Sequence, residues 1–179
     1  ATPLGRIGLF LTATVLVSAC GAEPEASDVP PGPEPLPAGA EAISLLGDTL
    51  NPPVQPENVR EVYQARFEEA QDALVEAPED ADALIWMGRR TAYLGHYRDA
   101  IEIYSNAIEL HPDDARIYRH RGHRYLTVRD FDRAIADFER ACVQKARERG
   151  FDGVICGHIH QPALNETERG FYANSGDWV

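Results

Sequence analysis
Apolar residues recur at three- and four-residue steps through the middle of the chain, which is the periodicity of helices with one buried face. The pattern is plain in Leu84–Leu94 and again in Asp99–Leu110. Upstream, Glu57 to Glu76 carries an apolar stripe of Val62, Phe67, Ala70, Ala73 and Leu74, closed by Pro78. The pattern then repeats at an offset of 34: Gly88 falls on Gly122, Tyr97 on Phe131, Ala100 on Ala134, Ile101 on Ile135, Tyr104 on Phe138 and Ala107 on Ala141. Pro112 falls backwards on Pro78. A fixed period of about 20–50 residues signals stacked supersecondary units. Gly95-His96 breaks the first helix pair, and His111-Pro112-Asp113-Asp114 stops its second helix and caps the next. Glycine inside a helix costs roughly 1 kcal/mol against alanine. Gly88 and Gly122 therefore predict close approach of a partner helix, with Ala100 and Ala134 kept small and Tyr97, Tyr104, Phe131 and Phe138 filling the space around them.

A 34-residue period with small and aromatic residues in these places resembles the tetratricopeptide repeat (TPR), over residues 57–148. The second repeat departs from the family pattern at Arg121, where leucine is preferred, at Arg129 in place of the turn glycine, and at Ala146 in place of proline. The expected fold class is mostly α, a short TPR helical solenoid with a disordered N-terminal tether and a small C-terminal β-rich segment. Repeats are expected at 81–114 and 115–148, after a transitional segment and capping helix at 43–80. The resemblance implies that the first helix of each repeat lines a concave groove. By position Arg89, Tyr93, Arg116, Arg119 and His123 would face it, forming a basic, partly aromatic patch. Arginine forks there suit a protein or peptide partner that is acidic or ends in a carboxylate; the alternative is an ordinary solvated helix face. His120 and His123 lie three apart among Arg116, Arg119 and Arg124, and cationic neighbours oppose a metal there.

Charge and the N-terminus narrow the setting. The net charge of -12 over 179 residues gives no support to a nucleic-acid partner. Arg6 precedes an uncharged run, Ile7 to Ala19, that is shorter than the roughly 20 apolar residues of a membrane span. It reads as a signal peptide over 1–19. Val17-Ser18-Ala19-Cys20 resembles the bacterial lipobox, which implies cleavage before Cys20, lipidation of its thiol and attachment to a membrane. An ordinary secretory signal with an incidental cysteine is the alternative. Gly21 after the cysteine implies sorting to the outer membrane, so the expected location is the cell envelope, on the periplasmic face of that membrane. Residues 20–42 form a linker with six prolines between Gly21 and Ala40, expected to be a disordered tether.

After Arg133 the last helix runs on without a breaker, and then the pattern changes. Gly153-Val154-Ile155-Cys156 and Gly170-Phe171-Tyr172-Ala173-Asn174 predict strands, separated by a polar turn at Asn165–Arg169. Gly157-His158-Ile159-His160 follows the first strand and Asn174-Ser175-Gly176-Asp177-Trp178 ends the second. Together these resemble the C-terminal end of calcineurin-like metallophosphoesterases, in the branch of UDP-2,3-diacylglucosamine hydrolases, over residues 145–179. The resemblance implies His158 and His160 as metal ligands of a dinuclear centre, with Mn2+ or another divalent ion. The Asp-x-His and Asn-His motifs that complete such a centre occur nowhere in the chain. Residues 149–179 are thus read as a fragment beyond a junction between about Cys142 and Ala146, and no cofactor is expected. The leading expectation is a lipid-anchored TPR protein-interaction module without catalysis. The alternative is a metal-dependent phosphoesterase represented by its last metal-ligand motif.

Overall fold
The structure, a computed structural model, describes residues 36–156 and 163–175. Five helices follow in order: α1 (Glu57–Glu76), α2 (Ala81–Tyr93), α3 (Tyr97–Leu110), α4 (Ala115–Thr127) and α5 (Phe131–Glu148). Each packs on the next, and α4 also reaches back to α2, so the helices form a short TPR-like solenoid. Aspartates open α2, α4 and α5. Asp80 accepts from the Ala83 amide at 2.8 Å, Asp114 from the Arg116 amide at 2.9 Å and Asp130 from the Arg133 amide at 3.3 Å. Such N-caps satisfy amides that have no intrahelical partner, worth about 1 kcal/mol each.

The two turns within the hairpins both need a left-handed residue. Gly95 supplies it after α2 at φ 94, and its missing side chain also leaves room for Pro52. Arg129 supplies it after α4 at φ 66, which costs a non-glycine residue about 1–2 kcal/mol.

The mid-helix glycines have the packing reason their cost demands. A Cβ on Gly88 would lie 2.5 Å from the ring of Tyr104, and one on Gly122 would lie 2.9 Å from the ring of Phe138. Each repeat seats an aromatic ring of its second helix directly on the backbone of its first. Ala100, Ala107 and Ala134 are fully enclosed, and Leu84, Ile85, Tyr104 and Ile117 complete one apolar core across α2, α3 and α4.

The second repeat carries an ion pair inside its packing. Arg121, where leucine was expected, donates from Nε and Nη2 to the two carboxylate oxygens of Asp137, each at 2.8 Å, and from Nη1 to Ser105 at 3.1 Å. Asp137 is 5 % exposed, and the rings of Tyr118 and Tyr125 flank the guanidinium. At the same places one repeat earlier stand Met87 and Ile103.

One expectation is corrected, the polar turn at Asn165–Arg169, while the segments before and after the repeats gain detail. The transitional segment that follows the proline-rich linker is ordered. A two-residue ladder, β1 (Ala42–Ile43) with β2 (Thr49–Leu50), pairs antiparallel, and Ala42 is buried among Tyr125, Val128 and Ala134. Glu41 accepts from the Arg98 amide at 3.0 Å through its carboxylate and from Arg98 Nε at 2.9 Å through its carbonyl. Two-residue strands leave no periodic trace, so the sequence pattern could not register them. Next, the polar turn expected at Asn165–Arg169 is mostly strand. β4 (Ala163–Thr167) pairs antiparallel with β5 (Gly170–Asn174), which pairs parallel with β3 (Gly153–Cys156), in the order β3-β5-β4. β4 pairs on one side only and is mostly exposed, so polar residues suit it.

As the absence of a breaker predicts, the helix that lacks its closing proline runs on. α3 ends at Leu110 before Pro112, whereas α5 continues to Glu148, four residues past the repeat-equivalent Gln144, with Ala146 buried. The sheet leans on this extended helix. Val143 lies beside Gly170, Asn165 donates to Glu139 at 2.7 Å, and Arg169 pairs with Asp113. Cys20, His158 and His160 lie outside the described residues.

Candidate functional site
The five residues expected on the groove divide into two neighbouring groups. On α2, residues three, four and seven apart share a side, which places Trp86, Arg89, Arg90 and Tyr93 together. The guanidinium of Arg89 sits 4.2 Å from the Trp86 ring centre and that of Arg90 4.6 Å from it. Arg89 donates to the Tyr93 hydroxyl at 3.2 Å, and the Tyr93 ring stacks on Tyr63 of α1 at 5.4 Å. The hydrogen bond from Arg89, with the charges of Arg89, Arg90 and Arg124, outweighs partial burial and pulls the Tyr93 hydroxyl below its ordinary pKa.

The other three belong to α4. Arg116, Arg119 and His123 line a cavity of about 480 Å³ whose opposite wall is Phe138, Ala141 and Lys145 of α5. His123 meets the edge of Phe138 at 5.1 Å. Arg116 differs from its neighbours, because its charge is already engaged. It pairs with Asp114 at 2.7 Å and reaches back to Asp82 of the previous repeat at 2.6 Å. It is thus a staple between repeats as much as a free fork.

Residues that position alone did not select join the two groups. His120 of α4 stacks on Tyr104 of α3 at 5.9 Å. Burial, then the charges of Arg119, Arg89, His123 and Arg124, lower its pKa to about 4. Arg89, Arg119 and Arg124 therefore converge on one neutral imidazole. Trp86 could have been found as an exposed tryptophan one turn from Arg89; Tyr63 and His120 had no comparable signal. A second cavity, of about 370 Å³, opens between α1 and α2 beside Trp86. It exists because Ala70 stands where the later repeats have Tyr104 and Phe138.

The histidine implies a pH dependence. His120 takes up a proton more readily when unfolded, so stability is complete above about pH 6.5 and is lost as pH falls toward about 4. Allowing for the ring's partial exposure, about 1 kcal/mol should disappear between pH 7 and 5 in urea titrations. His120→Phe, which keeps the stack on Tyr104, should flatten that slope.

Among the described residues there is no group of three or more histidine, cysteine, aspartate or glutamate side chains placed to hold a metal ion. No helix among them is long and apolar enough to cross a membrane.

Residues 88–127 match the family model of the TPR repeat. Two solved structures of MamA are similar to part of the chain. One is 25 % identical with a TM-score of 0.47, covering 51 % of this chain and 53 % of that one. The other, described as MamA MSR-1 C2, is 19 % identical with a TM-score of 0.45, covering 51 % and 52 %. The chain thus spans about half the length of either structure. No curated protein sequence matches it.

Proposed function
We propose that this chain is a protein-interaction module, anchored to the bacterial envelope through lipid on Cys20, that takes an acidic or carboxylate-terminated peptide on the first helices of its repeats. The observation that carries this reading is the gathering of Arg89, Arg90 and Arg124 about Tyr93, with Arg89 and Arg90 laid on Trp86 and Arg119 close by at His120, on a chain whose net charge is -12. Guanidinium groups laid on aromatic rings are held in place and still present N–H groups to a carboxylate. Half-exposed Trp86 adds an apolar platform. The TPR match at 88–127 supports an interaction role, and the lipobox-like Val17–Cys20 supports the anchor and an outer-membrane, periplasm-facing location.

Fluorescent acidic peptides with a free C-terminal carboxylate should bind the protein more tightly than the same peptides amidated, and more weakly as salt rises. Arg89→Glu with Arg119→Glu should weaken that binding by about ten-fold or more. Equal binding by the double variant would move the contact off this face. For the anchor, Cys20→Ser in the full-length precursor should shift the protein from the membrane to the soluble fraction. Cleaved, detergent-requiring protein in that variant would refute lipidation at Cys20.

A further inference from the structure
The cavity between α4 and α5 is the repeat-equivalent of a place that is already filled one repeat earlier. Moving back by 34 residues, Phe138, Ala141 and Cys142 become Tyr104, Ala107 and Ile108 of α3, and Arg116 becomes Asp82 of α2. On that earlier surface sits α4. Its Ile117 is fully buried against Tyr104 and Ala107, His120 stacks on Tyr104, and Arg116 closes the edge on Asp82. Ala107 is accordingly fully enclosed, while Ala141, the same residue in the same register, is only partly covered. Among the described residues no helix takes the second seat. The C-terminal sheet meets α5 at Glu139 and Val143 and reaches the edge of the seat where Cys156 lies beside Cys142.

The second seat keeps the shape of the first and changes its charge. Its floor is Phe138, Ala141 and Cys142, and its rim is Arg116, Arg119, His123 and Lys145, with no carboxylate among the lining residues. Asp82, which attracts an arginine of α4, has been exchanged for Arg116, and Ile85 for Arg119. A helix shaped like α4 fits this seat, whereas a helix charged like α4 is repelled.

We propose that the α4–α5 end face is a docking seat for one acidic amphipathic helix of a partner protein, which lies on α4 and α5 as α4 lies on α2 and α3. The helix offers an aliphatic residue to Ala141 and Phe138, in the manner of Ile117, and a carboxylate to Arg119 and, in competition with Asp114 and Asp82, to Arg116. This surface shares Arg119 with the proposed peptide face but none of Trp86, Arg89, Arg90 and Tyr93, and the proposal does not depend on a peptide binding there.

The test uses a stapled, fluorescent copy of residues 114–129 with Arg116→Glu and Arg124→Glu, titrated into the full chain. Arg116 and Arg124 are chosen because in the first seat they lie beside Asp82 and Tyr104. The charge-swapped helix should bind about ten-fold or more tightly than the unswapped copy, with affinity falling as salt rises. Ala141→Glu should abolish binding without lowering the helical circular dichroism, since Ala141 faces the open seat. Arg89→Glu, on the other face, should leave it within about two-fold. Loss with Arg89→Glu and not with Ala141→Glu would overturn the seat while leaving the arginine–tryptophan face standing. Equal binding of both helix copies, or of neither, would overturn the seat. So would concentration-dependent dimerisation of the chain that Ala141→Glu removes, because the occupant would then be a second copy.

Discussion
Asp137→Ala is expected to lower the unfolding free energy by about 3–5 kcal/mol, because it strands the guanidinium of Arg121 in a largely water-free setting. The aspartate is buried and takes both of its bonds from that one arginine. A two-repeat solenoid has little stability to spare, and nearest-neighbour interfaces supply much of it. The sharper expectation concerns the pair. Changing both residues to their counterparts in the first repeat, Arg121→Met with Asp137→Ile, should recover stability to within about 1 kcal/mol of the parent, or exceed it. Urea denaturation of the four proteins in this cycle measures the coupling directly. A double variant as unstable as Asp137→Ala alone would show that the pair is not a substitute for apolar packing.

Tyr104→Ala should cost about 3–5 kcal/mol, the usual loss for removing a buried aromatic ring. Tyr104 is one of the two largest fully buried side chains, and its ring fills the space over Gly88 while supporting His120. Gly88→Ala should separately cost about 1–3 kcal/mol, since its methyl would sit 2.5 Å from that ring and the enclosed ring has nowhere to go. Combined, the two changes should cost clearly less than their sum, because the new methyl enters the space the ring has left. Additive losses would place the glycine's role in backbone conformation rather than in contact with Tyr104.

Both expectations come from positions that the sequence marked without explaining. Gly88 and Gly122 were legible as costly residues needing a neighbour, but that neighbour is an aromatic ring of the same repeat rather than a helix backbone. Arg121 was legible as a departure from the family pattern; its partner was not, because Asp137 lies 16 residues away on another helix and looks like any surface acid. The candidate site was legible in outline. Arg89, Tyr93, Arg119 and His123 stand on α2 and α4, the helices that the resemblance to the TPR assigned them to. It could not show that Arg116 is held by two carboxylates, or that His120 lies neutral beneath three arginines.

The sequence by itself determined the period, the helices and their small-to-large packing code, since these depend on residues within one or two turns and on a repeat that presents the same code twice. Only the tertiary structure decided how single residues are spent. It set Ala42 into the second hairpin, paired β4 with β5 and laid their sheet against α5. It also left the α4–α5 seat open among the described residues while filling the same seat one repeat earlier. Each of these outcomes depends on contacts between residues far apart in the chain, and such contacts leave no local periodicity to read.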